Sequence, residues 1–266
     1  MTLAIAFPNI DPVLVSFGPI VIRWYALAYI VGLIAGWRYM RALARRPPLA
    51  APAETIDDFL VWATLGVVFG GRIGYVLFYN PGYYAQNPLA AFALWQGGMS
   101  FHGGLLGVLV ATVGFARRRR LPLLPFADAL ACVTPIGLLL GRLANFINGE
   151  LFGRVTEVPW GVVFPRGGPL PRHPSQIYEA FLEGLLLLAL LHGLWRIEAV
   201  RRRPGALTGV FLAGYGLARA SVELVREPDA HIGLLIGGTT LGQWLSFPMI
   251  VVGALLIAYA LRVRAP

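Results

Sequence analysis

Lysine is absent from this chain; all 22 basic residues are arginine. Cysteine is nearly absent, and the single Cys132 lies in an apolar run with no partner for a disulfide or a metal–thiolate site. It reads as a packing residue. Charge is scarce as well: 13% of the residues are charged, whereas 57% are hydrophobic. That balance is too apolar for a soluble domain of 266 residues, and a bilayer solvent accounts for it. The sequence also lacks an HExxH pair or any cluster of His with Asp, which argues against a metal centre. A Ser-His-Asp arrangement is missing too. Ser175 sits in Arg172-His-Pro-Ser-Gln-Ile-Tyr-Glu179, where it reads as a helix cap, so an acyl-enzyme is not expected. The formal charge of +9 would suggest nucleic acid if the arginines formed a patch. They gather instead at the ends of apolar runs, which is a topology signal, and no nucleic-acid partner is expected.

A helix needs about 20 apolar residues to cross the hydrocarbon of a membrane. Such runs occur near 18–39, 58–79, 98–116, 123–142, 175–195, 206–225 and 241–261. The expectation is an all-α integral membrane protein of about seven transmembrane helices, folded as one polytopic domain over 1–266. No basic residue precedes the first run and four arginines follow it, which predicts a retained span rather than a cleaved signal. Arg38, Arg41, Arg45, Arg46, Arg117 to Arg120, Arg196, Arg201 to Arg203, Arg262 and Arg264 then fall on one side, fourteen of the 22. The predicted orientation places the N-terminus outside and the C-terminus in the cytoplasm. The opposite segments are rich in Pro, Gly and aromatics, and 143–174 is long enough for a small outer subdomain between spans 4 and 5. Glycines four apart (Gly66, Gly70 and Gly74; Gly103 and Gly107; Gly137 and Gly141) predict close helix contacts.

Several polar groups remain inside or at the ends of spans, where a buried arginine costs roughly 3 kcal/mol or more. Arg72 and Arg219 lie about two-thirds along spans 2 and 6, Arg142 closes the outward end of span 4, and His102 opens the outward end of span 3. All four fall in the outer half of the predicted bilayer. Arg219, Glu223 and Arg226 are spaced i, i+4, i+7 on one helix face, so Arg219 is expected to pair with Glu223, leaving Arg226 free. Among spans 1–4 the only acid within range of Arg72 and Arg142 is Asp128, on the inner side. An external anion is therefore the expected partner of both. Arg142 with Asn145, followed by Asn148 and Glu150, forms a predicted cradle for an anionic headgroup. His102, flanked by glycines, suits either hydrogen-bonded packing or general-base work near pH 7. His173, His192 and His231 lie at loops or the inner side and are weaker candidates.

At this point the chain resembles a known family, the bacterial phosphatidylglycerol:prolipoprotein diacylglyceryl transferases. The matching pieces are Arg23-Trp-Tyr25, Gly70-Gly-Arg-Ile-Gly-Tyr-Val-Leu-Phe-Tyr79, Gly97-Gly-Met-Ser-Phe-His-Gly-Gly-Leu-Leu-Gly107, Gly141-Arg-Leu-Ala-Asn-Phe-Ile-Asn-Gly-Glu-Leu-Phe-Gly-Arg154, Arg172-His-Pro-Ser-Gln-Ile-Tyr-Glu179 and Arg226-Glu-Pro-Asp229. They run from the first span to the sixth. The resemblance implies an enzyme of the bacterial cytoplasmic membrane that uses phosphatidylglycerol and the signal peptide of a prolipoprotein. The diacylglyceryl group passes to the lipobox cysteine through a thioether, glycerol 1-phosphate leaves, and no cofactor is needed. It also implies His102, Arg142 and Arg219 as the catalytic set. Arg142, Asn145, Arg72, Tyr25, Gly153 and Arg226 are implied around the lipid, with Glu150, Glu223 and Tyr75 in support. The alternative is a transporter or channel for an anionic lipid or small anion, for which the same outer-half arginines would serve. Transporters carry matched polar breaks in two repeated halves, and no such symmetry is present here.

Overall fold

The computed structural model describes residues 5–8, 10–18, 20–228 and 233–263. Asp229, His231 and Arg264 lie outside the described residues. The chain begins with β1 (Ile5–Ala6), β2 (Val13–Phe17) and β3 (Ile20–Arg23), followed by the long helices α1 (Trp24–Ala44) and α2 (Ala53–Phe78). A short helix α3 (Pro81–Gln86) and two 3-10 turns, Pro88–Phe92 and Leu94–Gln96, lead into α4 (Phe101–Arg119) and α5 (Leu123–Ile147). After β4 (Val162–Val163) comes α6 (Ser175–Glu179), which passes through a π-helical stretch (Ala180–Leu186) into α7 (Leu187–Arg196). The short α8 (Glu198–Arg201), then α9 (Ala206–Val222) and α10 (Leu241–Arg262), complete the order.

Six of the seven apolar runs fall mainly on helices, and the first does so from Trp24 onward. Four helical segments, Ala53–Phe78, Leu123–Ile147, Ser175–Arg196 and Leu241–Arg262, are by themselves long and apolar enough to cross a membrane. On α2, Leu65, Phe69, Ile73 and Leu77 recur every four residues and all stand about half exposed. A continuous apolar stripe of that kind requires a nonpolar solvent.

Two boundaries differ from the sequence expectation. The first helix starts at Trp24 rather than near 18, because Val13–Phe17 and Ile20–Arg23 pair as an antiparallel ribbon. Both stretches are rich in β-branched residues, which favours strand over helix at the start of this apolar run. The helix α5 continues past 142 to Ile147, so Arg142 stands before its last turn rather than at its end, and Asn145 stands inside the helix rather than beyond it. The fold is thus mainly helical with two small two-stranded sheets.

By its contacts the chain divides into two compact units, residues 1–40 with 128–266, and residues 41–127. In the smaller unit α2 and α4 meet along their glycines. A Cβ at Gly66 would lie 2.6 Å from the Gly107 carbonyl oxygen, and one at Gly74 would lie 2.8 Å from Gly103 Cα. Phe59, Phe115 and Phe126, all buried, close the other end of this unit. In the larger unit α9 starts against Asp128. The buried carboxylate accepts from the backbone N–H of Gly205 and of Thr208 and from the Thr208 hydroxyl, each at 2.7 Å. It therefore caps α9 from another helix, which is what this acid does at its level of the bundle. Residues 148–174 fold over a small aromatic core in which Phe164 is fully buried among Phe7, Phe146 and Phe152. β1 joins that segment by pairing in parallel with β4.

Equal glycine spacing does not mean equal contact: a Cβ at Gly141 meets nothing within 4 Å, whereas one at Gly107 would lie 2.8 Å from the Gly66 carbonyl carbon. Gly107→Ala is accordingly expected to cost about 1–3 kcal/mol by forcing α2 and α4 apart. Gly141→Ala is expected to leave stability level or slightly raised. Thermal unfolding of the two variants in detergent measures the difference.

Candidate functional site

The larger unit holds a chain of alternating charges drawn from α5, from α6 with its π-helical continuation, and from α9 with the residues just after it. Arg142, one to two turns from the end of α5, faces Glu179 of α6 at 3.2 Å and Glu183 of the π-helical stretch at 3.3 Å. The second oxygen of Glu179 pairs with Arg219 of α9. Arg219 also pairs with Glu223, and Glu223 in turn binds Arg226 at 3.2 Å. The order is Glu183, Arg142, Glu179, Arg219, Glu223, Arg226. Glu179 and Glu183 have no exposed surface, and the three arginine side chains retain 17%, 13% and 9%.

Local sequence explains why these groups meet. Gly184 follows Glu183, and a Cβ there would lie 2.7 Å from Leu139 Cα, so only glycine lets the π-helical stretch approach α5 one turn before Arg142. The π-helical stretch adds a residue to the turn that carries Glu183, a distortion that recurs at functional positions. At the far end, Gly242 leaves room for Glu223, since a Cβ would lie 2.5 Å from its carboxyl carbon.

Beside this chain, Asn145 and Asn148 both donate to Glu150 Oε1, at 2.9 and 3.1 Å. Gln176 donates to the Glu150 carbonyl at 2.6 Å, and Ser175 donates to the Leu151 carbonyl at 2.9 Å. Ser175 thus ties the loop to α6 rather than capping it; the residue at the cap is Pro174. Gly153 lies where three segments cross: its N–H donates to the His173 carbonyl at 2.8 Å, and it bridges to Arg226. A Cβ at Gly153 would lie 2.7 Å from that of His173, which is a packing reason for glycine. Burial lowers the His173 imidazole below its ordinary pKa, so it is neutral at pH 7. Tyr25, in the first turn of α1, lies with its hydroxyl 3.4 Å from that of Tyr29.

The smaller unit holds His102 and Arg72. His102 is exposed in the first turn of α4, edge-on to Phe101, and Ser100 caps that turn by accepting from the Gly103 N–H at 3.2 Å. Arg72 is only 4% exposed and spends all its donors on backbone. Nε reaches the Ala91 carbonyl at 2.7 Å, Nη1 those of Gly97 and Gly98 at 2.5 and 3.1 Å, and Nη2 those of Ala90 and Ala93 at 2.7 and 3.2 Å. A guanidinium has five N–H bonds, and five carbonyls take them. Tyr84 covers its face at 5.3 Å. Tyr75 lies beneath Gly98, where a Cβ would strike its ring, and stacks on Tyr79.

Several expectations therefore change. Arg72 clamps the segment 90–98 ahead of the His102 helix and has no donor left for a phosphate. Arg142 is met by two internal carboxylates rather than awaiting an outside anion alone. Arg219 does pair with Glu223, but Arg226 is held by the same carboxylate and is not free. The partners of Arg142, Glu179 and Glu183, come from the fifth apolar run and not from spans 1–4. Two acids four apart in one apolar run were a signal in plain sight. Among the described residues no group of three or more His, Cys, Asp or Glu is arranged to hold a metal ion.

A family model described as prolipoprotein diacylglyceryl transferase matches residues 12–259. This chain belongs to that family. Its relatives include three proteins named phosphatidylglycerol–prolipoprotein diacylglyceryl transferase. The one from Paramagnetospirillum magneticum is 61% identical, covering 98% of each chain. The one from Rhodospirillum rubrum is 59% identical over 99% of this chain and 97% of its own. The one from Azospirillum brasilense is also 59% identical, over 98% of both. Similarity of that extent covers the whole charge chain and both glycine-lined helices.

A lysine at position 72 supplies three donors where five carbonyls need them, so Arg72→Lys is expected to loosen residues 88–98. Hydrogen–deuterium exchange should rise there by about tenfold or more, since each buried carbonyl left unmade costs about 1–3 kcal/mol. Unchanged exchange in that segment would remove the clamp.

Proposed function

We propose that this protein transfers the diacylglyceryl group of phosphatidylglycerol to the thiol of a lipobox cysteine in a prolipoprotein signal peptide. A thioether forms between sulfur and the glyceryl carbon, the carbon–oxygen bond to phosphate breaks, and glycerol 1-phosphate leaves. The observation that carries this reading is the linked arginine set, Arg142, Arg219 and Arg226, buried at the ends of apolar helices in a chain of this family. Partly exposed guanidinium groups there offer charge-assisted bonds to a phosphodiester and to the greater charge that develops as it leaves.

The residues divide the work as follows. Arg142 and Arg219 bind the phosphate and stabilise its departure, with Arg226 and Asn145 beside them. Glu179 and Glu223 hold the arginines in register, and Glu150 fixes Asn145. His102 serves as general base toward the thiol, whose pKa near 8.5 leaves little thiolate at neutral pH. Tyr25 and Gly153 are assigned to the lipid side through the family resemblance. Arg72 and Tyr75 act through the backbone of 90–98.

The same reading includes seven spans in one polytopic domain, an N-terminus outside the cytoplasmic membrane, a C-terminus inside it, and 143–174 as an outer subdomain. Support comes from the seven helices at the expected positions and from the arginine-rich segments that alternate with aromatic ones.

The test is a reconstituted assay with phosphatidylglycerol vesicles and a lipobox peptide, read by mass spectrometry of the peptide. Wild type is expected to add one diacylglyceryl group. Arg142→Ala should lose about a hundredfold or more in kcat/KM, the usual cost of removing one charge-stabilising donor. His102→Gln should lose about 10²- to 10⁴-fold. Full activity in either variant removes that residue from its role. A wild type that makes no thioether but moves the lipid across the bilayer would favour transport.

A further inference from the structure

The charge chain in the larger unit is complete without any ligand. Arg142, Arg219 and Arg226 face Glu179, Glu183 and Glu223, three cations against three carboxylates. A phosphodiester brings one more negative charge to a place where solvent screens little. Unless something else changes, the headgroup would meet arginines already neutralised, next to buried carboxylates that repel it.

Glu183 is the member able to change. Its Oε2 lies 3.3 Å from Arg142 Nη2, but its Oε1 is fully buried and has no hydrogen-bond partner. Glu179 Oε2 also lacks a hydrogen bond, but it ion-pairs with Arg142 at 3.2 Å while Oε1 pairs with Arg219, so losing the Glu179 charge would release both arginines. Glu223 likewise serves two arginines through one oxygen. Glu183 alone serves a single arginine and stands at the end of the chain. The charged and titratable groups around it are Arg142 from α5, Glu179 from its own helix, and Arg219 and Tyr215 from α9.

We propose that Glu183 takes up a proton as the anionic headgroup binds, which frees one edge of Arg142 for the phosphate and keeps the buried cluster neutral. The inference rests on the transfer reading above and adds a regulatory step to its lipid site. Protonation removes one of the two carboxylates on Arg142. The Arg142 Nη2 that Oε2 occupied becomes a donor to a phosphate oxygen, while Nη1 stays with Glu179. The proton comes from water on binding and returns to water when the product leaves. Glu183 is thus a positioning residue acting through Arg142.

The experiment is the pH dependence of KM for phosphatidylglycerol in the reconstituted assay, with kcat read separately. For wild type, KM should rise toward tenfold per pH unit on the alkaline side, since one proton accompanies each lipid. Glu183→Gln mimics the protonated side chain in shape and charge. Its KM should be lower than that of wild type at alkaline pH and lose the slope, an effect that a merely structural role would not produce. A flat wild-type KM, or a Glu183→Gln KM that keeps the wild-type slope, overturns the proposal. Should the variant not fold, calorimetry of wild type with phosphatidylglycerol vesicles in two buffers of different ionisation enthalpy decides. Uptake approaching one proton per lipid at alkaline pH supports it, and zero uptake overturns it. Wild type that forms thioether with no proton linkage removes this inference alone; wild type that forms no thioether removes the transfer reading.

Discussion

The interaction on which the larger unit depends is the bridge made by Glu179 between Arg142 and Arg219. A buried carboxylate without exposed surface is tolerable only if its charge is met, and a buried arginine only if its donors are taken. By satisfying two arginines at once, Glu179 joins the end of α5 to α9, and Glu183 and Glu223 extend the link at either end. The arrangement holds three cations together that would otherwise repel one another, while leaving each guanidinium some access. That combination of burial and residual exposure suits a group meant to receive an anion rather than to remain paired for good.

Arg72 and Arg142 illustrate how one sequence signal divides into two physical roles. Both lie in apolar helices and both need partners. Arg142 finds carboxylates, so its pairing is a balance of opposite charges. Arg72 finds five carbonyls of a nonhelical segment, and its bonds supply donors that backbone in a nonpolar setting has no other way to obtain. The first arrangement joins charges between helices and the second supports backbone. The glycines make the same point. Gly103 and Gly107 admit a neighbouring backbone, whereas Gly141, in the same spacing, meets nothing.

The helices were legible because a nonpolar solvent demands long apolar runs, and no soluble fold produces so many of them. The misreadings were local. Ile20–Arg23 is apolar in either conformation, and only pairing with Val13–Phe17 made it a strand. The cradle of Asn145, Asn148 and Glu150 was legible as a group, since it is contiguous in sequence. Glu179 and Glu183 were not, because they stand some forty positions from the arginines they meet.

The sequence by itself determined which residues enter the apolar helices, that charge is carried there at a cost, and to which family the chain belongs. Only the tertiary structure decided which charge meets which. Pairing between distant helices depends on their rotation and on how closely their backbones approach, here on Gly184 against Leu139 and on one π-helical turn. Periodicity along a single helix records which face a residue occupies, but not what the neighbouring helix places opposite it.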